Sequence, residues 1–588
     1  MDKYNWDLTK IFKNETEFNE SIQKLNELLL EIVKYKSKIL ESCDNLLKVL
    51  RLENDIDLIM ERLYIYSHLG YYSDMSNVKF QEYREKCLSL VDKANSITSF
   101  ITPELLSSDY ELVKKYISDN KKLEKYSLFL ENIFRYKNHV LSENEEQLLS
   151  DMSEIMRVSK STYDALNNID IKLEKIKNEE NKFINLTAST YSTFLMSKNR
   201  NVRKNAFNKM YKYYKDHINT ISSLYIGKVK SNSFLAKTRK YKSSLNMKLF
   251  PDKVNEKLYE NLIKITNKNI NYLKDYYKFK SKELGIKMHM YDLYVNSSIM
   301  PDKKISYEDA IKIANKALLP LGNDYLEKFN MLVNSNCIDV YPKNKKRSGA
   351  YEWGTYKVLP FISLNYENNI DSLSTFVHEM GHAMHSYYSD NNQDYLYAGY
   401  PIFLAEIAST VNEVLLSEYL IKNSKTNEEK NYYLVEFLDK FKSTVYRQVM
   451  FAEFENNIHK KYEEGISLTM ELLCCEYLNL NKKHFSPIIK VDDTIKYEWA
   501  RIPHFYDSFY VYKYATGFIC ALIIVNNLLN DESFKDKYIK FLSSGSIKYP
   551  LDLLLDLGIN LEDEKTLNIA FDIFNKKLET LKAIKKEE

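Results

Sequence analysis

Glycine and proline are scarce, at 12 and 10 in 588 residues, far below the roughly 12% combined usage of ordinary proteins. So few helix breakers argue against a turn-rich architecture and favour a mainly α-helical one. Only Gly70, Pro103 and Gly227 fall in the first 250 residues, so long uninterrupted helices are expected there. A block of like charge is also missing. The 84 basic and 81 acidic residues are well mixed, with a formal charge of +3, and no nucleic-acid partner is suggested. The apolar run "GFICALIIV", Gly517 to Val525, is far short of the roughly 20 residues of a membrane span. The opening "MDKYNWDLTKIF" has no apolar segment of the signal-peptide kind. Six cysteines show no C-x-x-C spacing, which reads as reduced thiols in a cytoplasmic protein. No regular repeat or low-complexity linker is present, and the 48 tyrosines carry no functional weight as a set.

Apolar residues recur at helical spacing from Leu8 to about Phe100, and "TPELLSSDYELV" supplies a cap-and-proline restart near Thr102. "INLTASTYSTFLM", after Phe183, is β-branched enough to read as a short strand or hairpin arm. "YKVLPFISLNY", Tyr356 to Tyr366, reads clearly as β. Pro360 cannot donate a ladder hydrogen bond, so an edge strand is expected, preceded by a loop that Gly349 and Gly354 make mobile. An edge strand can hold a peptide by backbone pairing, but a small structural hairpin is the preferred reading of the strand alone.

The stretch "FVHEMGHAMH", Phe376 to His385, holds three of the ten histidines. A helix over it is capped by Asp371 or Ser372 and runs to about Ser389. With His378 at zero on the helical wheel, His382 lies at about 40°, Glu379 at about 100° and His385 at about −20°. Leu373, Phe376, Val377, Met380, Ala383 and Met384 fall on the opposite arc. All three histidines are therefore expected on a polar face, towards solvent or a cleft. Two imidazoles one turn apart can converge on one zinc ion, with Glu379 beside them to act on its water: H-E-x-x-H is that mechanism written as a spacing. His385 stands seven positions from His378, about 10 Å along the axis, too far to join both as a ligand.

A zinc site of this type needs a third protein ligand. "GYPIFLAEIASTVNEVLLSEYL" carries a polar stripe of Glu406, Thr410, Glu413 and Ser417, with Pro401 suited to its first turn. Glu406 is the expected ligand, and Glu413 is placed to orient a ligating histidine. The plain alternative is that both carboxylates face water. In "ARIPHFYDSFYVYKYATG", a helix from Pro503 would put Tyr506, Tyr510, Tyr514 and Gly517 on one face. Such tyrosines, or a histidine, can stabilise an oxyanion, whereas a tyrosine stripe is more commonly core packing.

Taken in order, "HEMGHAMHSYY", "AEIASTVNE" and "RIPHFYDSFYVYKYATG" resemble oligoendopeptidase F, of the thimet oligopeptidase-like metallopeptidases. "WDLTKIF", "HMYDLY", "SGAYEWG" and "RQVMFAEFE" extend the resemblance over nearly the whole chain. It implies a mainly α fold of two helical lobes around a deep substrate channel, with a small β-sheet next to the zinc site. It implies a helical region over residues 1–115, an oligopeptidase F-type helical subdomain over 116–190 and a catalytic domain over 191–588. His378, His382 and Glu406 match the ligands of one Zn2+ per chain, Glu379 the general base, and His504 the substrate- and oxyanion-binding histidine. Tyr506 and Tyr510 match tyrosines at the scissile bond, although the family's longer, glycine-containing spacing before the first tyrosine is absent here. The strand after Gly349 would pair with substrate backbone, which reverses the preference for a structural hairpin. The expected function is zinc-dependent hydrolysis of internal bonds in short unfolded peptides, with a zinc-bound water activated by Glu379. The expectation includes no membrane partner and fixes no oligomeric state. The rivals are a metallocarboxypeptidase and a non-catalytic helical peptide-binding protein.

Overall fold

The scarcity of breakers is visible at once in a computed structural model of the chain, which describes residues 3–298 and 303–587. The first long helices are Glu15–Ile32, Cys43–Ser73 and Val78–Thr98. Asn14, Ser42 and Asn77 cap them, each accepting a hydrogen bond from the backbone three residues on, which satisfies donors the helix leaves unpaired. A short helix, Ile101–Leu106, restarts the chain with Pro103 in its first turn. By internal contacts the chain divides into two compact units.

The first unit comprises residues 1–138, 302–419 and 524–559. Its N-terminal helices bury Phe18, Leu25, Leu29, Leu46, Leu50 and Leu63 in one apolar core. Gly70 falls where a Cβ would lie 2.1 Å from the ring of Phe80, so the one glycine of this region marks a close approach between two helices.

The same unit contains a three-stranded sheet in the order Ile338–Asp339, Phe361–Ser363, Tyr351–Trp353. Phe361–Ser363 is its central strand, parallel to the first and antiparallel to the third, with Glu352 opposite Ile362. The edge-strand expectation for this segment is therefore corrected. The strand begins one residue after Pro360, so the missing N–H never enters the ladder, and Ile362 and Leu364 donate to Cys337 and Asp339 carbonyls at 2.8 Å each. Tyr351–Trp353, the strand that follows Gly349, is one of the two outer strands. The buried ammonium of Lys346 donates to the carbonyls of Asp339, Tyr341 and Leu364, which ties the approach to this edge to the rest of the sheet.

From the sheet the chain enters the histidine helix, Ile370–Asn392. Its cap is Asn369, whose side chain accepts from the Ser372 N–H at 2.8 Å, rather than Asp371 or Ser372. Leu373, Phe376, Val377, Met380, Ala383 and Met384 are fully buried, on the arc the wheel assigns. The glutamate helix follows over Ile402–Lys422, with Pro401 just before it accepting from Leu404 N–H at 2.8 Å.

The second unit comprises residues 139–301, 420–523 and 560–588. Its helices include Arg200–Asp216, Ile218–Thr238, Arg447–Glu463 and Met470–Phe485. Tyr211, Tyr214, Tyr225, Tyr259, Tyr276 and Tyr277 are buried among them, so much of the tyrosine excess is core. A hairpin pairs Lys175–Lys177 with Phe183–Asn185. The β reading of "INLTASTYSTFLM" ends there: Ala188–Met196 is a helix. Thr187 and Thr190 exchange hydrogen bonds in a reciprocal cap, and that capping outweighs the β-branched composition. The helix Tyr512–Asn530 is long and apolar enough to cross a membrane by length and composition, but 72% of its most apolar stretch is buried inside the protein, as in a core helix. All six cysteines are free thiols.

Candidate metal centre

His378 and His382 stand one turn apart, their ring centroids 4.8 Å apart and nearly perpendicular at 81°. The glutamate helix brings Glu406 opposite them, with its Oε2 3.8 Å from His378 Nε2 and 3.9 Å from His382 Nε2. The three candidate ligand atoms lie within 4.8 Å of one another. A tetrahedral ion with bonds of about 2.1 Å sets its ligands about 3.4 Å apart, so two of the separations need only about half an ångström of closure. Two imidazoles and a carboxylate are the donor set of catalytic zinc sites.

The helix crossing that makes this possible depends on Gly381. A Cβ there would lie 2.5 Å from Ser409 Cα and 2.8 Å from the Ala408 carbonyl oxygen. Hydrogen only at this position lets the two backbones meet within one turn of the candidate ligands. Glu413 Oε1 sits 3.0 Å from His378 Nδ1, holding the ring so that Nε2 faces Glu406. Burial pushes the His378 pKa down, but the hydrogen bond and charge of Glu413 outweigh it, and the net shift is upward. His382, beside another imidazole and buried, is pushed down to about 3, and a neutral ring is the form that binds a metal.

Glu379 is 7% exposed. Burial pushes its carboxyl up to about 7, with Glu406 and Glu413 adding to the effect and His378 opposing it. The edge strand contributes a second buried carboxyl that the sequence reading missed. Glu352 is raised to about 8 by burial and by Glu379. Only an acidic residue inside a short β segment, "YEW", signalled it.

His385 does not share the polar face. It is 1% exposed and stacks on Tyr400 at 3.6 Å and 7°, with Phe541 at 5.8 Å. The wheel measures direction within one helix and cannot see that a neighbouring segment lays an aromatic ring over that direction. Burial lowers its pKa to about 3, so it is a neutral core residue.

The helix expected from Pro503 is also corrected. Pro503–Tyr506 is a single 3₁₀ turn, and the α-helix starts only at Tyr512. Between them Phe509 adopts φ 59°, and its N–H donates to Glu455 Oε2 at 2.8 Å. A left-handed residue resets the helical phase, so the tyrosines do not share one face. Tyr506 is 3% exposed and stacks on Tyr163 at 4.2 Å; it is a packing residue of the second unit. Tyr514 instead approaches His504, hydroxyl to Nε2 at 3.4 Å, and Tyr510 packs edge-on against Tyr514 at 5.3 Å. Burial lowers the pKa of His504, favouring a neutral imidazole.

Comparison with known proteins agrees with these features. Residues 193–573 match the model of peptidase family M3, and residues 104–172 match that of oligopeptidase F. The chain is 38% identical to oligopeptidase PepF of Bacillus subtilis over 581 residues, 98% of this chain and 87% of that protein. It is 37% identical to an oligoendopeptidase F homolog of Lactococcus lactis over 586 residues, covering 99% and 97% of the two chains. The crystal structure of oligoendopeptidase-F from Enterococcus faecium superposes with a TM-score of 0.75 at 31% identity, covering 98% of this chain and all of that one. With a family match over most of its length and relatives aligned nearly end to end, this chain belongs to peptidase family M3, in its oligopeptidase F branch, and is a peptidase.

Proposed function

We propose that the chain is a zinc-dependent endopeptidase that hydrolyses internal bonds of short, unfolded oligopeptides. The observation that carries this reading is the convergence of His378, His382 and Glu406 with Glu379 alongside. These three residues would hold the metal, with Glu413 fixing His378. When bound, the metal supplies Lewis acidity, enough to bring the pKa of water from 15.7 to about 7. Glu379 takes the proton of the attacking water and returns it to the departing amine nitrogen. The family resemblance gives His504 and Tyr510 the role of donors to the carbonyl oxygen as negative charge develops there, and burial favours the neutral form of His504. Tyr506, buried in an aromatic stack, is left out of that set. Main-chain pairing to the edge strand Tyr351–Trp353 would hold an extended peptide whatever its sequence. Six free thiols fit a reducing, cytoplasmic setting.

A mixed pool of peptides blocked at both ends, incubated with and without a chelator and analysed by mass spectrometry, tests the reading. Internal cleavage that disappears with chelator and returns with zinc is expected. Trimming confined to peptides with free C-termini would replace it with a metallocarboxypeptidase. A folded, metal-loaded protein that cleaves nothing would make the chain a peptide binder.

A further inference from the structure

The second unit contains a cavity of about 170 Å³ that the peptidase chemistry does not use. It lies beside the Ala188–Met196 helix and is walled by Leu195, Phe207, Met290, Leu293 and Ile495. Its polar side holds Glu498, Arg447 and Arg501. Glu498 is committed elsewhere: Oε1 accepts from Tyr211 at 2.9 Å and Arg447 at 2.7 Å, and Oε2 from Tyr477 at 2.7 Å. Arg501 stands 3.9 Å from Glu498, beyond hydrogen-bond length. Its Nε is buried without a hydrogen-bond partner, while the side chain as a whole keeps 24% of its surface exposed. Tyr191 supports it by a cation–π contact at 5.1 Å.

A guanidinium carries five donors, and buried donors are expected to be paired. Here two arginines share one carboxylate that already accepts three hydrogen bonds, leaving an excess positive charge beside a cavity of mixed apolar and hydroxyl-bearing walls. One uncompensated charge calls for a monoanion, a planar fork of donors matches a carboxylate, and the walls call for an apolar body. Ala188 and Ser192, exposed on their helix, also line the space and open it to solvent.

We infer that this cavity is a carboxylate-binding pocket in which Arg501 receives the α-carboxylate of an apolar amino acid, either free or as the C-terminal residue of a peptide. The inference stands on Arg501 and its surroundings and not on the proposed zinc chemistry.

Calorimetric titration of the metal-loaded protein with N-acetyl-L-leucine, N-acetyl-L-leucinamide and free L-leucine tests it. Binding of an acid but not of the amide is expected. Arg501→Met should weaken it by at least about tenfold, the scale of a lost charge-assisted pair. Ala188→Phe, which fills the mouth and keeps the arginine, should do the same and covers the case in which Arg501→Met fails to fold. Metal content should be unchanged in both variants, which separates this pocket from a carboxylate captured by the metal. Preference for N-acetyl-leucine identifies a peptide terminus, and preference for leucine a free amino acid. Absence of binding at millimolar acid, equal binding of the amide, or affinity in folded variants that matches the parent would overturn the inference.

Discussion

Replacing Gly381 by alanine sets two effects against each other, and the structure says which wins. In the middle of a helix alanine is favoured over glycine by about 1 kcal/mol, so the substitution would stabilise an isolated helix. In this fold the new methyl would sit 2.5 Å from Ser409 Cα, where no flexible side chain can yield. Carbon atoms rest at about 3.5–4.0 Å, so the two helices must part by about 1 Å. Overpacking of this kind costs about 1–3 kcal/mol, leaving a net loss of about 0–2 kcal/mol. The larger consequence is for the three candidate ligands. Glu406 already stands 3.8 and 3.9 Å from the two imidazole nitrogens. An ion with bonds of about 2.1 Å draws its ligand atoms to about 3.4 Å from one another. A further ångström on Glu406 adds to the closure the three side chains already need, and a fall in zinc affinity of about tenfold to a hundredfold is expected. Competition titration against a chelator reads the affinity, and thermal denaturation of the metal-free protein reads the packing cost separately. An alanine variant that is more stable than the parent and binds zinc equally well would refute the close-crossing argument.

The other predictions address single groups. Glu379→Gln should retain zinc and lose about 10²–10⁴-fold in kcat, so substantial turnover by the metal-loaded variant would remove Glu379 from its role. Glu406→Ala should lower metal content, while His385→Ala should leave it largely intact and cost about 1–3 kcal/mol of stability through lost packing; metal analysis and denaturation together decide, and the reverse pattern would make His385 a ligand. Burial raises the Glu455 carboxyl from 4.5 to about 8. The stability it contributes is fully present below about pH 4.5 and is lost as pH rises through about 8. Glu455→Gln, which imitates the protonated form, should therefore gain on the parent between pH 5 and pH 8 in urea denaturation, and parallel pH profiles would contradict the shift.

Which parts of this were legible beforehand follows from the range of the forces involved. Periodicity and breaker counts are local, and they gave the long helices and the buried arc of the histidine helix; Glu413, expected to orient a histidine, stands 3.0 Å from His378. What failed was decided by a neighbour or by one residue of phase. Pro360 lies one position outside its strand rather than within it, which changes an edge into a centre. His385 points where the wheel says, but Tyr400 covers that direction. Phe509 turns left-handed and removes Tyr506 from the face it would share with Tyr514. Glu352 and the Gly381 crossing belong to pairs of segments, and a single helical pattern contains neither. The assembly of each unit from three separated stretches of chain is likewise a long-range result.

The edge strand has an optical consequence. The chain has only three tryptophans. Trp499 is almost fully buried, and Trp6 packs against Tyr351 and Phe361. Trp353 ends the edge strand next to Glu352, its indole set against Tyr64, His68 and Tyr72. With so few tryptophans, and one of them on the strand next to Glu352, the protein carries its own fluorophore on the strand proposed to pair with a peptide. Occupancy of that strand is thus open to being followed by intrinsic emission, without a label and without turnover.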